Sequence, residues 1–289
     1  MKKKSEYTTI AFQGMAGAYS DLACRIAYPE LTTVPTVSFD AAFRAVREHT
    51  ADLAMIPVDN SIAGRVADVH HLIPEGDLFI IGEYFQKIRH CLLGIPGATI
   101  DNITDVHSHV HAIPQCKKYI EALGLTSHVV ADTAKGASDI KKWNDTTQAA
   151  IASELAAEIY GLDILQHDIQ DAEHNTTRFL IFSRNKDIPQ RQEGQNYITS
   201  FAFEVRNIPA ALYKALGGFA TNGVQMVKLE SYVDKHFNVA RFYADVEGHT
   251  DDPSLQLAFE ELGFFAKRMV VLGTYAAHDF RNTNGNGFK

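Results

Sequence analysis

The chain has 289 residues, of which 46% are hydrophobic and 21% charged, with a formal net charge of -8. That length suits two or three domains, and the acidic balance excludes a general affinity for nucleic acid or anionic membrane. Cys24, Cys91 and Cys116 are odd in number and lack metal-ligand spacing, which reads as reduced cysteines of a cytoplasmic protein. Lys2-Lys3-Lys4 precede polar residues rather than a signal-peptide core, and no window has the apolar length of a membrane span.

Thr9-Ile10-Ala11-Phe12 predicts a first strand, followed by a glycine turn and a helix near Asp21–Tyr28. The turn, Gln13-Gly14-Met15-Ala16-Gly17-Ala18-Tyr19-Ser20, can point backbone N–H groups at an anion from a helix start, or can be a tight turn alone. Thr33–Val37 predicts a strand. Ser38 then caps a helix whose apolar residues, Phe39, Ala42, Phe43 and Val46, share one face. Leu53–Val58 is a buried-type strand, and Pro57–Val66 is expected to leave it and enter a helix. Asn60 and Ser61 there are either N-caps or donors aimed into a cleft, with Asp59 as a proton carrier.

Strands follow at Leu78–Tyr84, His90–Ile95, Ser127–Val130, Ala149–Ala152 and Phe179–Phe182. Helices fall near Ala112–Leu123, Ala134–Trp143 and Ser153–Tyr160. Alternation of this kind predicts an α/β fold with two mostly parallel, helix-covered sheets, which bind ligands at strand ends or between lobes. His107, His109 and His111 recur at period two, predicting three imidazoles on one side of a strand. Without a Cys, Asp or Glu at ligand spacing they form a hydrogen-bonding strip and no metal site.

Asn175-Thr176-Thr177-Arg178-Phe179 sits where a polar stretch enters an apolar run. Thr177 can polarise an oxygen there, and Arg178 can grip a carboxylate with paired hydrogen bonds. Residues 1–184 are thus expected to form a two-lobed first domain, and the polar stretch 185–196 a linker. Residues 197–280 follow as a βαββαβ domain of ferredoxin-like plan, and residues 281–289 as a disordered tail.

Together these segments resemble the prephenate dehydratase family over roughly residues 8–279. The family's glycine turn matches Gly14 to Ser20, and its Pro-x-Glu-Asn-Ser-x-x-Gly-x-Val segment matches Pro57 to Val66 with Asp59 in place of Glu. Its His-x-Leu-Leu segment falls on His90, Leu92 and Leu93. Its Ser-His-Pro-Gln-Ala-Leu segment falls on Ser108 to Ile113, continued by Gln115-Cys116, and its Thr-Arg-Phe signature is Thr177-Arg178-Phe179. The resemblance implies a doubly wound, periplasmic-binding-protein-like catalytic domain followed by an ACT domain that binds phenylalanine. It implies removal of water and carbon dioxide from prephenate without cofactor or metal, because aromatisation drives the reaction.

On this basis the catalytic residues are Thr177, Arg178, Asn60 and Asp59. The substrate-binding residues are Gly14, Gly17, Ala18, Tyr19, Ser20, Ser61, His90, Ser108, His109, His111 and Phe179. Ala210, Ala211, Leu212, Leu229, Glu230 and Ser231 form the effector segments, and the protein is expected to be a homodimer or homotetramer. Val110 and His111 replace the family's Pro-Gln, which puts an imidazole where a neutral amide touches substrate. Ala210 replaces a Gly and Tyr232-Val233 replace Arg-Pro, which points to weakened feedback or altered selectivity. Arogenate dehydratase and a non-catalytic amino-acid sensor are the alternatives. Adjacent strand residues face opposite sides, so joint action of Thr177 and Arg178 on one substrate requires a bulge or loop at that point.

Overall fold

The computed structural model describes residues 7–66, 69, 72–73, 77–206, 208–233 and 239–284. The three initial lysines and residues 285–289 of the expected tail lie outside these. The chain divides into two compact units: Tyr7–Ala67 with Tyr84–Phe179, and Met1–Glu6 with Asp68–Glu83 and Leu180–Lys289.

In the first unit β1 (Thr9–Gln13) lies parallel to both β2 (Thr32–Thr36) and β3 (Leu53–Asn60). Helix α1 (Tyr19–Ala27) follows β1, and α2 (Phe39–Arg47) follows β2. The Ser38 hydroxyl accepts from the Ala41 N–H and so satisfies one orphan donor at the start of α2. Ala42, Phe43 and Val46 of that helix are buried, as their spacing predicts.

Directly after β3 the described chain forms a turn and a short strand, and Val69 beyond them is helical. The chain turns back through β4 (Gly64–Arg65), pairing Asp59 with Arg65 and Asn60 with Gly64. The Asn60 side-chain oxygen accepts from the N–H groups of Ile62 and Ala63, which closes a local turn, and Gly64 takes the positive φ (80°) of a tight turn. The sheet has the order β2-β1-β3-β11-β5, with β5 (Phe79–Lys87) and β11 (Thr176–Ser183) each passing from one unit into the other.

The second sheet has the order β10-β6-β9-β7-β8. Its strands are β6 (Cys91–Gly94), β7 (Asp105–His109), β8 (Thr126–Val130), β9 (Gln148–Ala152) and β10 (Asp163–Gln166). β7 lies parallel to β8 and β9, whereas β6 runs antiparallel to β9 and β10. Helices α3 (Lys117–Ala122), α4 (Thr133–Trp143) and α5 (Glu154–Tyr160) belong to this lobe. Leu92, Val106, Ile140, Ala150 and Ile151 form part of its core.

The second unit contains β12 (Tyr197–Val205), α6 (Ala211–Thr221), β13 (Met226–Val233), β14 (Val239–Glu247), α7 (Pro253–Phe265) and β15 (Ala266–Ala276). The antiparallel order β13-β14-β12-β15 completes the ferredoxin-like plan. Phe201, Phe203, Phe219 and Phe242 stack in its core. Burying one such ring is worth about 1.5–3 kcal/mol. The expected disorder from residue 281 is corrected in part: Asp279–Asn284 form α8, and Arg281 makes two hydrogen bonds to the Glu83 carboxylate, at 2.6 and 2.8 Å. No described helix is long and apolar enough to cross a membrane.

Ala210, just before α6, takes φ 59°, a left-handed conformation that a side chain resists by about 1–2 kcal/mol. Glycine there removes the strain but adds chain entropy to the unfolded state. Ala210→Gly is therefore expected to raise stability by about 0.5–1 kcal/mol, read as a higher urea midpoint. A lower midpoint would contradict the strain.

Candidate active site

Two segments of the first unit meet at the end of β3. The backbone N–H of Ser61 donates to the Thr176 carbonyl, and the Thr176 N–H donates back to the Ser61 hydroxyl. This exchange sets Asn60 beside Thr177. The Asn60 Nδ2 group donates to the Asn175 side-chain oxygen at 2.8 Å and to the Thr177 hydroxyl at 2.9 Å. Thr177 is 9% exposed and Asn175 fully buried. The Thr177 oxygen accepts from Asn60, and its own proton has no acceptor among the described residues. Such a hydroxyl is a donor in waiting.

The polar chain continues into the other lobe. Asn175 Nδ2 donates to Gln115 Oε1 at 2.7 Å, and the same oxygen lies 2.9 Å from His90 Nε2. His90 Nδ1 lies 2.8 Å from the Tyr19 hydroxyl, which also donates to the Arg89 carbonyl at 2.6 Å. Burial pushes the His90 pKa down, opposed by the Gln115 bond, and burial pushes the Tyr19 phenol up.

Arg178 does not share this arrangement. β11 begins at Thr176 and runs through both Thr177 and Arg178, so the expected loop is corrected to strand. The partners follow the alternation of β3 and β11. Asn60 meets Thr177, whereas Asp59 meets Arg178, with carboxylate and guanidinium 3.8 Å apart.

The glycine turn departs from expectation in its ligand. It does bind anions, but they are the protein's own: Met15 N–H donates to Asp132 and Gly17 N–H to Asp21. The Gly14 N–H donates to the Thr36 carbonyl and the Ala18 N–H to Met15. A Cβ on Gly17 would lie 2.9 Å from the Ala156 backbone at a φ of 90°, which requires glycine. The turn is a joint between lobes rather than an open anion cradle. Ala18 and Ser20 are buried beside it.

Other expected site residues scatter. Ser108 is fully buried and donates to the Ile151 carbonyl, and Phe179 is core. Ser61 donates to the His174 carbonyl. The three imidazoles do not form one strip. His107 stacks on His128 and bonds Gln148. β7 ends at His109, and His111 lies in the turn beyond, its ring 5.2 Å from that of His109. In the second unit Ala211 and Leu212 open α6, while Leu229, Glu230 and Ser231 lie in β13.

Among the described residues one group has donors close enough for a cation. Cys91, Glu154 and His167 lie within 4.8 Å of one another, with burial pushing the Cys91 thiol up to about 11. Two residues of the polar chain were missed as site residues, Gln115 and Asn175. Both stand beside recognised motifs, and adjacency was the available signal.

The fold and this polar chain define a two-lobed α/β domain with a ferredoxin-like companion. The sequence profile of the prephenate dehydratase family matches residues 10–187. A bifunctional N-acyl-homoserine lactone acylase/prephenate dehydratase from Komagataeibacter europaeus is 48% identical over 94% of this chain and 97% of its own. The chloroplastic arogenate dehydratase/prephenate dehydratase 2 of Arabidopsis thaliana is 39% identical over 92% of this chain and 72% of its own. Among solved structures, GqqA, described as a novel type of quorum quenching acylase, matches with TM-score 0.89 and 48% identity, covering 94% of this chain and 99% of its own. The prephenate dehydratase of Arthrobacter aurescens in complex with L-Phe matches with TM-score 0.86 and 28% identity, covering 94% and 91%. The chain belongs to the prephenate dehydratase family.

Because the folded protein holds His90 below its ordinary value of about 6.5, the unfolded chain binds that proton more readily. His90 therefore withdraws stability as pH falls through the unfolded value and has no such effect above it. An NMR titration of the folded protein is expected to show this ring protonating below the ordinary value; protonation above it would contradict the burial argument.

Proposed function

We propose that the chain is a prephenate dehydratase, converting prephenate to phenylpyruvate, carbon dioxide and water. The observation that carries this reading is the Thr177 hydroxyl, which accepts from Asn60 and keeps its own proton for a ligand. In the reaction the ring carboxylate leaves as carbon dioxide, its bonding pair enters the ring, and the ring hydroxyl departs with its own electron pair. That hydroxyl needs a donor as negative charge grows on it, and Thr177 supplies one. Threonine is too weak an acid to surrender its proton fully, so His111 or a water completes the transfer, and Asp59 is engaged by Arg178 instead. Asn60 aims Thr177. Arg178 is assigned to hold β3 through Asp59 rather than to share the substrate group that Thr177 meets.

The βαββαβ plan of the second unit, and the L-Phe named with the Arthrobacter aurescens relative, support reading that unit as an ACT module with phenylalanine as effector. Ala210 and Tyr232-Val233 favour weakened feedback, which phenylalanine added to the dehydratase assay tests; strong inhibition at low concentration would refute it. We further assign the protein to the cytoplasm as a dimer or tetramer.

Two relatives motivate other readings. The Arabidopsis thaliana protein's printed name pairs arogenate with prephenate, and competition of both substrates in one assay separates them. The Komagataeibacter europaeus protein's name adds acyl-homoserine lactone acylase, which predicts release of homoserine lactone and fatty acid from that amide.

Thr177→Ala is expected to lower kcat for phenylpyruvate formation by on the order of a hundredfold with the fold intact. Thr177→Ser, which keeps the hydroxyl, is expected to retain most of the rate. Near-normal turnover in the alanine variant removes Thr177 from the mechanism.

A further inference from the structure

The hydrogen bonds around Thr177 have a direction that can be read from one end to the other. The Asn60 side-chain oxygen is taken by two backbone donors, the N–H groups of Ile62 and Ala63, at 2.9 and 2.8 Å. Backbone N–H groups cannot act as acceptors, so the Asn60 side chain cannot be reversed and its NH2 must face Asn175 and Thr177. Asn175 must therefore present its oxygen to Asn60 and its NH2 to Gln115. Gln115 in turn must present its oxygen, and that oxygen faces His90 Nε2 as well. An oxygen acceptor on that side requires a proton on Nε2.

We propose that Gln115 and His90 are positioning residues of the dehydratase site, forming a one-way hydrogen-bond chain from the Ile62 and Ala63 amides through Asn60, Asn175 and Gln115. The chain fixes His90 with its proton on Nε2 and holds the Thr177 hydroxyl as a donor. The same Asn60 amide that starts the chain delivers its second hydrogen to Thr177, so the two branches are set together. Neutral His90 then offers Nδ1 as an acceptor, and the Tyr19 proton is shared between Nδ1 and the Arg89 carbonyl. Gln115 reaches this position from the short 3₁₀ turn Pro114–Cys116, and His90 from the residue before β6. The chain thus joins α1, the end of β3, the start of β11 and two segments of the second sheet's lobe. The catalytic part of the proposal rests on the dehydratase reading, but the direction of the bonds does not.

The first test is ¹⁵N NMR of histidine-labelled, substrate-free protein, which reports which ring nitrogen of His90 carries the proton. The proton is expected on Nε2. A ring protonated on Nδ1 alone overturns the proposal, whatever reaction the protein catalyses. The second test uses Gln115→Met, of similar length but without the acceptor, beside Gln115→Glu, which keeps an oxygen facing both donors. The methionine variant is expected to lose roughly tenfold or more in kcat with KM changed less than about twofold, as misplacement of a reacting group does. Its His90 ring is expected to become a mixture of tautomers. The glutamate variant is expected to restore most of the turnover and the single tautomer. Wild-type turnover with an unchanged tautomer in Gln115→Met overturns the chain, even where Thr177→Ala still abolishes activity.

Discussion

The site depends on one side-chain amide. Asn60 is fixed at its oxygen by two backbone N–H groups of its own turn and gives both amide hydrogens to β11 and its approach. An amide so held has no alternative orientation, because reversal would set NH2 against N–H. The turn that provides those two donors is the same one that returns the chain from β3 onto β4. Local backbone chemistry and the aim of the proposed catalytic hydroxyl are therefore one feature. Burial strengthens the effect, since a misdirected polar group here would lose its partner without water to replace it.

The two lobes of the first unit are fastened by residues that also serve as helix caps. Asp132 accepts from the Ala134 N–H at the start of α4, and its other oxygen accepts from Met15. Ser153 accepts from the Ala156 N–H at the start of α5 and donates to the Gly17 carbonyl. Tyr160, from the end of α5, donates to the Ala16 carbonyl. A turn whose amides could hold a substrate anion instead holds carboxylates of the chain. This is how an acidic protein can keep a glycine-rich turn rigid without recruiting an external ion.

Much of the fold was legible because its elements carry strong local signals. Ser38 before an apolar helical face, the alternating strands and helices, and the βαββαβ order after residue 197 all correspond to observed elements. At Asn60 and Ser61 the sequence left two roles open, because Asn and Ser serve equally as helix caps and turn formers. The deciding facts, the Gly64 conformation and the return pairing on β3, are not local in sequence. Thr177 and Asn60 were recognisable as chemistry-bearing residues, but their direct contact spans 117 positions of chain. The separation of Arg178 from Thr177 followed from strand alternation once β11 was known to include both. Gln115 and Asn175 had only adjacency to recognised motifs as a signal, because an amide's role is set by the partners the fold brings to it.

Loss of the ring hydroxyl at this site depends on the direction of hydrogen bonding at Thr177. Asn60→Asp preserves size and keeps an oxygen for Ile62 and Ala63, but replaces the donor facing Thr177 with an acceptor. The threonine proton would then turn inward and be lost to the substrate. The measurement is steady-state turnover of prephenate by this variant, with thermal unfolding followed in parallel. The expected result is a kcat lower by on the order of a hundredfold in a folded protein; a folded Asn60→Asp variant with undiminished kcat would contradict the account.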